Sequence, residues 1–284
     1  MGTLYLVATP IGNLEDVTLR ALRVLREAEL VLAEDTRRTR ILLDRHGIAA
    51  RPISLHAHNE ASRIARVLAV LEAGGSAALV SDAGTPLVSD PGEKLVAAAI
   101  EAGQEVVALP GASAVLAALT VAGLPAARFA FAGFLPRRAG ERDAWLEAWR
   151  DRPETLVLFE SPRRVAATLA RMAETLGDRK ACVARELTKL HEQVARGTLR
   201  ELAAKFAAGA RGEITIVVDG VRPETSERAA PDLDGAIRDG LAAGETTRQI
   251  ASRLSTQWRL PRREIYARTL AILGDGAARS PRGG

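Results

Sequence analysis

Cysteine is nearly absent from these 284 residues; Cys182 stands alone. One thiol excludes an intramolecular disulfide framework and a cysteine-rich zinc site. Long apolar runs are also missing, all far shorter than the roughly 18 residues a membrane span needs. No basic segment leading into a long apolar core opens the chain, so we expect no signal peptide and a cytoplasmic protein. Neither G-x-x-x-x-G-K-[ST] nor G-x-G-x-x-G after a strand occurs, which leaves ATP and dinucleotide binding unsupported. H-E-x-x-H is missing, and His46, His56, His58 and His191 lack the spacing of a metal cage. His56 and His58 can share one side of a strand, where a structural or substrate-contacting role outweighs a zinc site. G-x-S-x-G is absent too, since Gly111-Ala112-Ser113 has no second glycine and no obvious triad. No internal repeat or low-complexity tract is found.

Lysine is scarce, with only Lys94, Lys180, Lys189 and Lys205 against many arginines. A GC-rich coding bias produces that ratio, and so does selection for phosphate contact, because the planar guanidinium pairs phosphate oxygens in a bidentate way. The net charge of +4 is too small to announce nucleic-acid binding by itself. From Asp232 onward, however, nine Arg face six acidic residues, so most of the excess lies in the tail.

What is present is an alternation of strand-like and helix-like segments. The run Leu4 to Ala8 is closed by Thr9-Pro10-Ile11-Gly12-Asn13, and Asp16 is placed to N-cap a helix over Val17 to Ala28. Leu30 to Ala33 reads as a strand that ends in the charged loop Glu34 to Arg40. A helix then runs to His46 with Gly47 as its cap, and another over Ile64 to Leu71 is ended by Gly74-Gly75. The strands Ala77 to Val80 and Glu105 to Leu109 flank a helix from Glu93 to Ala102. They lead into the small-residue loops Ser81-Asp82-Ala83-Gly84-Thr85-Pro86 and Pro110-Gly111-Ala112-Ser113-Ala114. Such loops at the carboxyl ends of parallel strands let backbone approach a ligand closely. The pattern predicts a mostly parallel sheet with covering helices.

The chain length suggests more than one domain. We expect an N-terminal α/β domain over 1–123 and a second over 124–222, including a linker at 124–142. In the second, Thr155 to Phe159, Ala181 to Ala184, His191 to Thr198 and Glu213 to Val218 read as strands, with a helix after Pro162. A polar tether from Val221 to Pro231 precedes a small helical domain over 232–275, and a disordered tail is expected at 276–284. Within the helical domain, Thr247 to Ser255 and Arg262 to Leu273 can form a helix–turn–helix or simply a packing module.

Seven motifs occur in order: Thr9-Pro10-Ile11-Gly12-Asn13-Leu14-Glu15-Asp16, Ala33-Glu34-Asp35-Thr36-Arg37-Arg38-Thr39, His58-Asn59-Glu60, Ser81 to Pro86, Phe134-Leu135-Pro136-Arg137, Glu160-Ser161-Pro162-Arg163-Arg164, and Ala184-Arg185-Glu186-Leu187-Thr188-Lys189. Together they closely resemble the bacterial ribosomal RNA small subunit methyltransferase I family, of the tetrapyrrole methylase-like class. The resemblance covers residues 2–220, with a looser match in the tail. Two positions depart from the family pattern: Ala112 stands where proline is usual after Gly111, and Arg163 where histidine is frequent.

The resemblance implies two α/β domains with a cofactor cleft between them and a small C-terminal helical domain. It implies S-adenosyl-L-methionine-dependent 2′-O-methylation of a cytidine ribose in 16S rRNA near the decoding centre. The implied partners are 16S rRNA or the small ribosomal subunit and a second copy of the chain, with no membrane and no metal. The implied cofactor pocket comprises Pro10, Gly12, Asp82, Gly84, Thr85, Ser113 and Ala114, faced by Phe159, Glu160 and Ser161. Asp82 can equally be a turn former and Ser113 a helix N-cap. A ribose hydroxyl is a weak acid and gains from a nearby base; the candidates are Asp35, Glu60, Glu186 and Lys189, although Arg185-Glu186 can also be a structural ion pair. Arg37, Arg38, Arg40, His58, Arg137, Arg138 and Arg185 are the expected RNA contacts. Two other functions share these features: methylation of a tetrapyrrole, and a non-enzymatic, cofactor-responsive nucleic-acid binder.

Overall fold

A computed structural model describes residues 2–56, 59–221, 233–258 and 261–278. Its contacts divide the chain into a unit through Val221 and a smaller C-terminal unit.

The first sheet contains β1 (Thr3–Val7), β2 (Leu30–Ala33), β3 (Ile53–Ser54), β4 (Ser76–Val80) and β5 (Glu105–Leu109), all parallel, in the order β3-β2-β4-β1-β5. Every residue of β2 is buried because helices cover both faces, so strand alternation divides its side chains between two cores. Val31 and Ala33 pack with α1 (Leu19–Glu27) and α2 (Thr36–Arg45). Leu30 and Leu32 pack with α3 (Glu60–Glu72) and α4 (Glu93–Glu101) on the opposite face. The first helix starts later than its sequence suggests. Thr18 is the N-cap of α1 and accepts from Ala21 N–H, whereas Asp16 lies in a preceding turn of 3-10 helix.

The second sheet contains β6 (Phe129–Phe134), β7 (Thr155–Glu160), β8 (Lys180–Arg185), β9 (Gln193–Thr198) and β10 (Ile214–Val218), in the order β6-β7-β10-β8-β9. It is mixed: β6 runs parallel to β7, while β10 is antiparallel to both β7 and β8. The segment expected to be a linker is therefore partly an edge strand. Its aromatic residues alternate as Phe129-x-Phe131, and a bulge with Gly133 at φ +63° shifts the register before Phe134. α6 (Ala139–Ala148), α7 (Val165–Leu176) and α8 (Leu199–Lys205) cover one face of this sheet.

The opposite face is covered by α5 (Ala114–Ala122), which arises from the first sheet's last strand. Val115, Ala118, Leu119 and Ala122 pack there against Val157, Cys182, Ala184 and Val217. That explains a nine-residue helix with no charged side chain. It also joins the two lobes through a shared core.

In the C-terminal unit, α9 (Leu233–Ala242), α10 (Thr247–Trp258) and α11 (Arg262–Ala278) enclose Ile237, Ile250, Ala251, Leu254 and Ile265. Arg268 holds Asp234 at 2.7 Å, pinning α11 to α9. The expected tether, Val221 to Pro231, lies outside the described residues apart from Val221; of the tail expected to be disordered at 276–284, residues 276–278 belong to α11 and the rest lie outside the described residues.

Candidate active site

Three loops meet above the carboxyl ends of β1, β4 and β5, the position where open α/β sheets bind ligands. Thr9 and Gly84 exchange both backbone hydrogen bonds at 2.9 Å. Gly84 has φ +85°, and a Cβ there would stand 3.4 Å from Ile11. Thr9 Oγ1 donates to Ser81 O, and Ser81 Oγ donates to Gly84 O at 3.0 Å. Gly111 lies so near β1 that a Cβ on it would come within 2.7 Å of Ala8 Cβ. Thr85 Oγ1 reaches Ala112 O at 3.4 Å, a backbone acceptor that alanine and proline supply alike.

These loops wall one side of a cavity of about 360 Å³, and β7, β8 and β10 wall the other. That volume suits a drug-sized ligand. Gly84, Thr85, Ser113 and Ala114 line it from the first lobe, and Phe159, Glu160 and Ser161 from the second, as seven of the expected cofactor residues. Pro10, Gly12 and Asp82 are not among its walls. Pro10 is buried. Gly12 makes room for the second lobe, since a Cβ there would meet Lys189 Cγ at 2.4 Å. Asp82 is a brace whose Oδ1 accepts from Asp35 N–H at 2.8 Å. Ser113 caps α5 as well as lining the cavity.

None of the four expected catalytic residues lines the cavity. Asp35 N-caps α2 and binds Arg37, whose hydrogen bonds hold its carboxyl down at about 2. Glu60 is 5% exposed, and its Oε1 accepts from Lys94 and Leu95 N–H at the start of α4. Glu186, at φ +52°, accepts from Glu213 N–H and from Lys189 Nζ, both at 2.9 Å. Those bonds lower its carboxyl below the ordinary range. Burial works against the Lys189 charge, but bonds to Glu186 and Glu213 outweigh it and raise the ammonium. A bound proton held that firmly makes Lys189 a poor base.

The sequence reading gave no site role to Asp90, Ser89, Phe134, Leu187 or Glu213, all of which line the cavity, although Phe134 and Leu187 stand in two of its motifs. The left-handed φ of Leu87, Ser89, Glu186 and Thr188 marks the same rim, because such non-glycine conformations persist where the surroundings impose them. Burial pushes the Asp90 carboxyl up to about 6, with the charge of Glu34 adding and a hydrogen bond from Ser81 opposing. Glu160 is 3% exposed and fully engaged: Oε1 accepts from Ser161 N–H at 2.7 Å and Oε2 from Thr168 Oγ1 at 2.6 Å. Phe159 sits beside Phe131 and Phe134, with ring centroids 4.9 and 5.6 Å away.

Of the expected RNA contacts, Arg37, Arg38, Arg137 and Arg138 are exposed. Arg38 lies 3.7 Å from Asp82, Arg40 donates to Ala50 O, and Arg185 donates to Gln193 and Arg211 O. Arg164 rather than Arg163 braces the second lobe's loop, donating to Leu135 O and Pro136 O. His58 lies outside the described residues. Among the described residues no His/Cys/Asp/Glu cluster could hold a metal, and no helix is long and apolar enough to cross a membrane.

Residues 3–203 match the family described as Tetrapyrrole (Corrin/Porphyrin) Methylases. A protein of Mesorhizobium japonicum named Ribosomal RNA small subunit methyltransferase I is 48% identical over 95% of this chain and 92% of its own. A Synechocystis protein of the same name is 45% identical over 97% and 100%. The chain belongs to the ribosomal RNA small subunit methyltransferase I family. It is a methyltransferase, so the non-enzymatic reading falls. Solved structures agree on the fold of this methyltransferase. A diphthine synthase aligns with TM-score 0.61 at 19% identity, over 77% of this chain and 90% of its own. Uroporphyrin-III-C-methyltransferase from Thermus thermophilus aligns with TM-score 0.51 at 24% identity, over 76% and 91%.

Proposed function

We propose that this enzyme methylates the 2′-hydroxyl of a cytidine ribose in 16S rRNA near the decoding centre, with S-adenosyl-L-methionine as donor. The similarity along nearly the whole chain to proteins named for small-subunit rRNA carries the reading. The solved tetrapyrrole enzymes are too distant in sequence to favour a corrin or porphyrin substrate.

The cavity's chemistry fits the donor. Apolar walls such as Ile11, Val115 and Leu187 suit a nucleoside and thioalkyl body, and the hydroxyls of Thr85, Ser113 and Ser161 suit its polar groups. The rings of Phe134 and Phe159 suit a positively charged sulfonium. When bound, the donor supplies an electrophilic methyl carbon. The two lobes hold the reactants in line, exclude water and leave little else to do. Gly84 and Gly111 let backbone approach, which explains glycine loops without a phosphate fingerprint.

Exposed Arg37, Arg38, Arg137 and Arg138, with Arg185 and the three C-terminal helices, are assigned to RNA phosphates. A cytoplasmic homodimer acting on the small ribosomal subunit completes the proposal. The test is 16S rRNA from a strain lacking the gene, read by primer extension at low nucleotide concentration. One 2′-O-methyl stop is expected to vanish and to return on complementation; an unchanged pattern refutes the reading.

A further inference from the structure

A second cavity, of about 370 Å³, lies on the other face of the second sheet. Its walls include Arg185 at the end of β8, Gln193 at the start of β9, and Lys205, Phe206, Gly209 and Arg211 from the end of α8 and the turn before β10. Strand alternation separates the two cavities. Ala181 and Val183 pack in the core under α8, and Cys182 and Ala184 in the core under α5. Arg185 therefore belongs to the α8 face, while Ala184 lines the first cavity. The turn before β10 is divided in the same way: Arg211 lines the second cavity, Gly212 and Glu213 the first.

The wall of this second cavity is cationic. Arg185, Lys205 and Arg211 bring three positive charges, and no carboxylate lines it. Arg185 is aimed rather than neutralised. Its Nε donates to Gln193 Oε1 and its Nη1 to Arg211 O, both at 3.2 Å, which leaves Nη2 without a partner among the described residues. The neighbouring Glu186 carboxylate feels Arg185 but takes its hydrogen bonds from Glu213 N–H and Lys189 Nζ. The Lys205 and Arg211 side chains are exposed and have no hydrogen-bond or ion-pair partner among the described residues. Gly209, at φ +90°, turns the chain there and leaves open space where a Cβ would stand.

We propose that this cavity binds the phosphodiester backbone of the RNA substrate, behind the methyl-transfer cavity, an assignment that rests on the rRNA reading. Arg185 offers a planar fork held in place on one side, and Lys205 and Arg211 add mobile charges around it. β8 ends between the two cavities. A strand anchored here by its phosphates reaches the first cavity around the end of β8 and the Arg211 to Glu213 turn. Such a contact fixes the position and direction of the RNA without reading its sequence.

The chemistry of the wall favours backbone over base. Phe206 is 5% exposed and packs in the core under α8, so its ring offers no free face for a base to stack on. The volume is larger than a single phosphate needs, and the exposure of Lys205 and Arg211 leaves a way in and out for a polymer. Like charges gathered in one hollow repel each other, and an anion between them relieves that repulsion.

The test is binding of the full-length protein, saturated with S-adenosylhomocysteine, to unmodified small ribosomal subunits between about 50 and 200 mM salt. Wild type is compared with Lys205→Gln/Arg211→Gln, with the charge-keeping Lys205→Arg/Arg211→Lys, and with Arg26→Gln on exposed α1 surface as a control. S-adenosylhomocysteine affinity, Tm and inorganic phosphate binding by phosphorus NMR are measured alongside. We expect the double Gln variant to lose about tenfold in subunit affinity near 100 mM salt and about 1.5 in the slope of log affinity against log salt. Its Tm and S-adenosylhomocysteine affinity should stay at the wild-type values. The charge-keeping pair and Arg26→Gln should bind subunits within about twofold of wild type. A double Gln variant that also binds within about twofold overturns the assignment, and so does an Arg26→Gln loss as large as that of the double variant. Phosphate binding that the double variant loses while it keeps its subunit affinity would make this a free-anion site and overturns it too. Wild-type protein that neither binds nor methylates subunits refutes the rRNA reading itself. Wild-type protein that methylates them while the double Gln variant binds normally refutes only this site. Each single variant, expected to lose about threefold, keeps the test decisive if the pair fails to fold.

Discussion

Asp35 N–H donates to Asp82 Oδ1 at 2.8 Å, tying the loop after β2 to the loop after β4. The carboxylate crosses the boundary between two neighbouring strands and fixes where α2 begins. A hydrogen bond to a charged group contributes ~1.5–3 kcal/mol, and the quarter-exposed Asp82 side chain belongs at the low end. Asp82→Ala should lower Tm by about 3–6 °C. Asp82→Asn keeps an acceptor oxygen at Oδ1 and should recover most of that loss. Equal Tm values for the two variants would show that the charge, and not the acceptor, holds the loops.

Glu60 acts at a distance from its own helix. Gly92 stands at the N-cap of α4 and has no side chain to offer, so the carboxylate from α3 accepts the orphan N–H groups of Lys94 and Leu95. Glu60→Ala leaves those donors buried without a partner and should cost about 2 kcal/mol, seen as a lower urea midpoint. Glu60→Gln retains one acceptor and should restore most of it. An unchanged urea midpoint for Glu60→Ala would refute the capping role.

Phe134 is 59% exposed although it lines the cavity and touches the Phe159 ring. An apolar ring kept in water at a cavity mouth is explained by what it covers when the cavity fills. Its contact with a cationic ligand beside Phe159 is worth ~1 kcal/mol. Phe134→Ala should therefore weaken S-adenosylmethionine binding by about fivefold to tenfold. Tm of the ligand-free protein should barely move. Calorimetry that finds equal affinity would assign the ring to packing alone.

Much of this architecture is legible in the residues. The runs at β1, β2, β4 and β5 and the small-residue loops after them give the parallel sheet and one wall of the cavity. The second lobe is harder to read because Phe129 to Phe134 lies between prolines and carries a bulge, which interrupts the alternation that marks a strand. Gly12 illustrates why a motif does not reveal a role. The glycine is needed, but the groups it admits are Lys189, Thr188 and Leu187 rather than a ligand. Glu60 and Asp82 carry the right charge for chemistry, yet both are consumed by backbone N–H groups from segments 34 to 47 residues away in sequence. Asp90 escaped because an Asp-Pro-Gly turn ahead of a helix reads as punctuation. Its environment comes from Ser81, Asp82 and Glu34, which only the fold brings to it.

The Glu186–Lys189–Glu213 cluster joins the turn after β8 to the start of β10, and Gly12 packs against Lys189. Hydrogen bonds from Glu213 N–H and Lys189 lower the Glu186 carboxyl in the folded state. A group lowered this way stabilises the fold above its unfolded value near 4.5 and loses that contribution as pH falls through the folded value. Asp35, held at about 2 by Arg37, acts in the same sense. Lys189 is raised, so its contribution is complete below its ordinary 10.5 and fades only as pH climbs past the folded value. Acid, not mild alkali, should therefore loosen this junction. Urea midpoints should hold down to about pH 5 and drop as pH falls below 4.5, and Glu186→Gln should flatten that drop while lowering the midpoint at pH 7. Its φ of +52° also makes position 186 favour glycine. Glu186→Gly should thus lose less at pH 7 than Glu186→Ala, although both remove the same carboxylate. A larger loss for the glycine variant would mean that the left-handed backbone there costs nothing and that the ion pair alone secures the turn.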